Sequence, residues 1–134
     1  MREYLSAWLA AALVMGGLDF AWLKLMVGPV YQPVIGTVLT DKPNMTAAVA
    51  FYAVYLVGVI LFAVRPALEE GDWRIALLWG AAFGFFAYAT YDLTNLATLK
   101  VWSVKLSLID MAWGTLLTGV TAAAAAATAL AMEK

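Results

Sequence analysis

Apolar residues run almost unbroken over residues 4–27, 45–64, 75–99 and 106–132, and the short breaks between these runs collect most of the charges and all four prolines. Each run reaches the roughly 20 residues that a helix needs to cross about 30 Å of hydrocarbon. Backbone polar groups have no water to bond to inside a bilayer, so only helices and closed barrels can span it. The alternating ten-residue strands of a barrel are absent from the sequence. The pattern predicts an all-α membrane protein, with four transmembrane helices in an up-down-up-down bundle and 1–134 as a single polytopic domain.

The breaks refine this picture. The stretch 28–44, GPVYQPVIGTVLTDKPN, carries Pro29, Pro33 and Pro43 yet stays largely apolar. It is expected to lie along the membrane interface with little helix, because an interior proline removes a donor and clashes with the preceding turn. Asn44 is placed to cap the second helix. The stretch RPALEEGDWR, from Arg65 to Arg74, reads as a solvated loop. The first run is too long for a secretory signal and carries Asp19 and Lys24 where a cleavage site would fall, so it is expected to remain as a span. Arg2, Arg65, Arg74 and Lys134 fall on one side, and Lys24, Lys42, Lys100 and Lys105 on or near the other. The positive-inside rule balances by raw count; the two loop arginines favour cytoplasmic termini.

Composition agrees with the pattern and then narrows the chemistry. The chain is 65% hydrophobic and 13% charged, with a mean hydropathy of +0.86. It contains no cysteine and no histidine. Disulfides, thiol nucleophiles, Cys/His zinc sites and histidine-ligated haem are therefore excluded. No phosphate-binding glycine motif or Ser-His-Asp set is present. No cofactor and no metal are expected, and a net charge of −1 gives no footing for nucleic acid.

Against this apolar background the span acids stand out, since Asp or Lys at the centre of a span costs about 2.5–3.5 kcal/mol on insertion scales. Asp19 lies roughly 22 Å along the first span from Tyr4, and Asp92 roughly 26 Å along the third from Ile75, at 1.5 Å per residue. Asp110 opens the fourth span at that same level. Tyr88, Asp92 and Asn95 share one helical face, and Asp110 shares one with Trp113. The strings DFAW (Asp19–Trp22) and DMAW (Asp110–Trp113) repeat D-x-A-W on spans of opposite direction, which would bring each acid near the other span's indole. The predicted ligand or proton site is Asp19, Trp22, Tyr88, Asp92, Asn95, Asp110 and Trp113, in one cavity, with Lys24, Lys100 and Lys105 as charge partners. The competing structural reading has the acids as ion-paired struts and the lysines snorkelling to headgroups. The string GAAFG, Gly80–Gly84, is a small-xxx-small face for packing within the bundle or between two chains.

The strings FYAVYLVGVILFAVRPAL, YATYDLTNLATLKVW and DMAWG together resemble a bacterial family of small four-span membrane proteins classed as domain of unknown function 2177. YDLTNLATLK is the most specific of them. The resemblance implies the fold and a location in the bacterial cytoplasmic (inner) membrane, and supplies no activity. It also implies proximity to lipid-modifying enzymes in gene clusters, which is association and not mechanism.

Three functions follow. The acid and aromatic site binds or translocates a small cationic or amphiphilic solute, a lipid or a proton. Alternatively the chain is an accessory or assembly subunit of a larger membrane complex or lipid pathway, as a homodimer or with other partners. The third reading is an acid–base intramembrane enzyme acting on a lipid. The absence of nucleophile, metal set and cofactor motif leans against an enzyme. The expected partners are membrane lipids and a small amphiphilic ligand.

Overall fold

The computed structural model describes residues 1–134 and contains only helices and their connections. Four long helices follow one another: α1 (Arg2–Ile35), α2 (Met45–Glu70), α3 (Trp73–Thr98) and α4 (Val104–Met132). α1, α2 and α4 are long and apolar enough to cross a membrane. α3 has the length, about 39 Å at 1.5 Å per residue, but not the same apolar density, because tyrosines, threonines, Asp92 and Asn95 crowd its second half. It packs antiparallel along α4, with Gly80 facing Ala122, Gly84 facing Gly114 and Thr118, and Tyr88 facing Gly114. The chain is an all-α membrane protein.

Two expectations need correction. The stretch 28–44 is helical over its first half, where α1 continues through Pro29 and Pro33 to Ile35, and turn or irregular over residues 36–44. Likewise Arg65–Glu70 is not loop but the last turns of α2, so the break before α3 is only Gly71 and Asp72. The same device carries the helix on in both places. Residues Val27–Tyr31 and Ile60–Val64 form single π-helical turns, and each turn ends two residues before a proline. Gln32 N–H donates to Val27 O and Arg65 N–H to Ile60 O, five residues back in each case. The wider turn moves the preceding carbonyls clear of the rings of Pro33 and Pro66, so the helix continues where an ordinary α-turn would clash.

Helix ends follow ordinary capping chemistry. Asn44 Oδ1 accepts from Ala47 N at 3.1 Å, Asp72 Oδ1 from Arg74 N at 2.9 Å, and Ser103 Oγ from Leu106 N at 3.1 Å. Gly71 turns the chain with φ +70°, a conformation that favours glycine.

The core lies towards the end of the bundle that carries both termini. There Ala7 and Ala11 of α1, Ala63 and Ala67 of α2, Ala76 of α3 and Ala122, Ala125, Ala126 and Ala129 of α4 are all fully buried. Small side chains let the backbones approach closely, which is what drives helix association in lipid. The GAAFG face is used inside the chain: a Cβ on Gly80 would meet Ala122 at 2.6 Å. The opposite end, with the connections α1–α2 and α3–α4, is built differently.

Candidate functional site

At the connection end the four helices enclose a cavity of about 410 Å³. Asp19, Trp22, Leu23 and Tyr31 of α1 line it, with Phe51 and Tyr55 of α2, Ala87, Tyr88 and Tyr91 of α3, and Asp110 and Trp113 of α4. Its floor is the hydroxyl pair Tyr55 Oη and Thr118 Oγ1, 2.7 Å apart, with Thr118 fully buried. Its rim includes Leu23, Phe51 and Tyr91, which are 44%, 48% and 55% exposed. The cavity therefore joins the protein interior to the surroundings of the helices.

The two D-x-A-W strings form the wall between α1 and α4. Trp22 and Trp113 stack face to face, with centroids 4.4 Å apart and planes inclined by 4°. Trp113 Nε1 donates to Asp19 Oδ1 at 3.2 Å. The other half of the exchange runs through Tyr31: Trp22 Nε1 donates to Tyr31 Oη at 3.0 Å, and Tyr31 donates to Asp110 Oδ1 at 2.6 Å. Each indole thus serves the acid of the opposite helix, one directly and one through a phenol. Tyr52 of α2 donates to the second oxygen of Asp19. The π-turn is what brings Tyr31, its last residue, back over this wall.

Asp92 sits differently. It is fully buried and is not part of the cavity lining, and neither carboxyl oxygen has a hydrogen-bond partner. On α3 it continues the four-residue spacing of Gly80, Gly84 and Tyr88, the stripe that faces α4, and the antiparallel register that sets Gly84 and Tyr88 against Gly114 brings it level with Asp110, one turn before Gly114. Asp19 and Asp110 therefore face one cavity, while Asp92 backs onto Asp110 from behind the wall. The single cavity expected to hold all three acids is corrected to two acids with a third in the next layer. Helical geometry explains this, since four-residue steps carry Asp92 towards α4 while Tyr91 turns to the rim. Asn95, the next turn of α3, is half-buried and is not in the lining.

The lysines do not join the acids. Lys24, Lys100 and Lys105 are exposed, and the ion pairs are confined to the N-terminus with Glu3 and Arg65 with Glu69. Thr94 and Thr98, like Thr90 just before them, bond carbonyls of their own helix, so the threonines of the YDLTNLATLK string add nothing to the site. Trp102 donates to Ser107 Oγ at 3.0 Å and meets Tyr91 edge-on, which anchors the α3–α4 connection at the rim.

Sequence reasoning missed Tyr31, Phe51, Tyr52, Tyr55 and Tyr91. Tyr52 and Tyr55 carried a usable signal, since they are polar-tipped aromatics three apart on a span whose one other polar side chain is Thr46 at its start. Tyr31 carried none, because its place depends on a helix that prolines were expected to end.

The arrangement offers a concave, aromatic, acid-lined space with no Lys or Arg paired to its acids. Comparison with known proteins places it in a wider group. No curated protein and no solved structure matches the chain. A family model described as "Predicted membrane protein (DUF2177)" matches residues 4–127, which takes in every residue of the cavity. The chain belongs to this family of membrane proteins.

Proposed function

We propose that the protein binds a cationic amphiphile, with the cation held between Asp19 and Asp110 and the apolar part leaving across the rim. The observation that carries this reading is that two carboxyl groups face one aromatic cavity and neither has a lysine or arginine partner. Their bonds come from neutral donors, Tyr52 and Trp113 to Asp19 and Tyr31 to Asp110. Neutral donors orient a carboxylate without cancelling its charge, so a cation entering the cavity finds uncompensated acids already in position. Tyrosine and tryptophan rings attract the same kind of ligand through their negative faces. A volume of about 410 Å³ lies within the range of small-molecule sites. The exposed rim residues Leu23, Phe51 and Tyr91 suit an alkyl chain more than a fully hydrated ion.

The test is binding in lipid nanodiscs, read by tryptophan fluorescence, because the Trp22–Trp113 stack forms part of the wall. Dodecyltrimethylammonium is expected to give a saturable change that dodecyl sulfate does not reproduce. Asp19→Asn keeps the shape and removes the acid, and is expected to weaken binding by about tenfold or more, as loss of a charge partner worth at least 1.4 kcal/mol does. Equal responses to the two amphiphiles, or unchanged affinity in both Asp19→Asn and Asp110→Asn, would overturn the reading.

A further inference from the structure

Asp92 has no role in cation binding as just described, yet it is the most isolated polar group in the molecule. It is fully buried, and neither oxygen of its carboxyl finds a donor. The α3–α4 register sets it level with another buried carboxyl, that of Asp110, whose own protein donor is Tyr31. An ionised carboxyl is acceptor-only, so two of them facing each other make no bond. A proton on either one supplies an O–H for the other's oxygen and is the one way this pair can satisfy itself from within. The surroundings offer no substitute. α1 presents Tyr31 and, across the cavity, Asp19; α2 presents Tyr52; α3 presents Tyr88 and Tyr91; no lysine or arginine faces the pair from any helix.

Resting on the cation-binding reading of the cavity, we propose that Asp92 and Asp110 hold one proton between them and that an entering cation displaces it. The site is then a cation–proton exchanger. The balance is simple. The carboxyl O–H of the pair breaks, the proton leaves by the cavity face of Asp110 to water in the cavity, and the cation takes up the negative charge left behind. The charge of the site is the same before and after. Asp110 stands between both participants, since it lines the cavity and lies level with Asp92 across the α3–α4 seam, so occupancy of the cavity and protonation of the pair compete directly. Asp19 is bonded to Tyr52 and Trp113 instead, and supplies cation affinity without the exchange.

Proton release decides the matter. Protein in nanodiscs, in weakly buffered solution with an indicator dye, is titrated with dodecyltrimethylammonium while binding is followed by tryptophan fluorescence. About one proton is expected per cation bound, with affinity rising about tenfold per pH unit while the pair is protonated. Asp92→Asn is expected to bind the cation with no proton released and with affinity independent of pH. Since its folding is checked separately by melting, and the wild-type stoichiometry needs no variant, the proposal stays exposed either way. Cation binding without proton release from wild type overturns the exchange and leaves the binding reading standing. Release that persists unchanged in folded Asp92→Asn also overturns it. Absence of cation binding altogether overturns both.

Discussion

The same four helices build two unlike halves. Towards the termini, alanines at 7, 11, 63, 67, 76, 122, 125, 126 and 129 are fully buried and the interior is solid. Towards the connections, the facing positions pass to Trp22, Tyr31, Tyr55, Tyr88 and Trp113, with Phe51 and Tyr91 at the rim, and a cavity opens. The change occurs within one or two turns, around Met15, Tyr55 and Leu117. Lipid tails are as apolar as the side chains they would replace, so burying large aromatics gives helices little reason to associate, whereas close packing of small residues does. The alanine half therefore holds the bundle together, and the aromatic half can stay hollow because it does not have to. Polar groups follow the same division. Asp19, Asp92 and Asp110 all lie in the hollow half, where hydroxyl and indole donors have room to reach the two that face the cavity.

The hardest blow to this contrast falls on the seam that joins the halves. A side chain at Gly84 would run into the Gly114 carbonyl and the Thr118 side chain, and a backbone oxygen cannot step aside alone. Gly84→Val is expected to lower stability by about 3 kcal/mol, at the upper end of overpacking costs. Unfolding in mixed micelles measures it. Gly17→Ala, where nothing lies within 4 Å, is the companion change and is expected to stay within about 0.5 kcal/mol of wild type. Equal effects at the two glycines would mean that α3 and α4 are not locked at close range.

A matched pair of substitutions then compares solid with hollow directly. Ala126→Leu adds three carbons to a site that is 0% exposed inside the alanine core and is expected to cost about 1–3 kcal/mol. Ala87→Leu adds the same carbons to the cavity wall. There the room already exists, so stability is expected to stay within about 1 kcal/mol of wild type, while dodecyltrimethylammonium affinity falls by about tenfold or more. If Ala87→Leu destabilises as much as Ala126→Leu, the aromatic half is packed and not hollow.

The two halves also differ in how far the sequence discloses them. The helices, their antiparallel order and the GAAFG packing face follow from apolar length and small-residue spacing, which are local properties. The D-x-A-W strings similarly brought Asp19, Trp22, Asp110 and Trp113 to one wall. Proline was the misleading signal. Pro33 read as a helix breaker and the charges after Val64 as a loop, and the π-turns that precede Pro33 and Pro66 shift a backbone bond by one residue, which no side-chain pattern records. That shift hid Tyr31 from the site. Asp92 was placed at the right depth but on the wrong side of the wall, because a difference of one helical step between Tyr91 and Asp92 separates rim from interior. The lysines were expected to answer the acids on grounds of charge alone, whereas at the membrane interface their heads are better served by water.

The smallest expected effect lies at the boundary between the halves. Tyr55 and Thr118 share one hydrogen bond at 2.7 Å, and below it the alanine packing begins. Tyr55→Phe keeps the ring that packs on Phe51 and Phe83 and removes the hydroxyl. It leaves the buried Thr118 hydroxyl to find another acceptor, and the carbonyl one turn back on its own helix lies within reach of a rotamer change. The loss is therefore expected near the low end for a buried hydrogen bond, about 0.5–1.5 kcal/mol. A double-mutant cycle with Thr118→Val isolates the pair, and the coupling energy is expected to equal most of the single-mutant loss. If the cycle gives no coupling, the hydroxyl pair does not hold the floor. The Tyr55 ring alone would then separate the cavity from the alanine core, and ligand affinity would be insensitive to the hydroxyl while still falling in Tyr55→Ala.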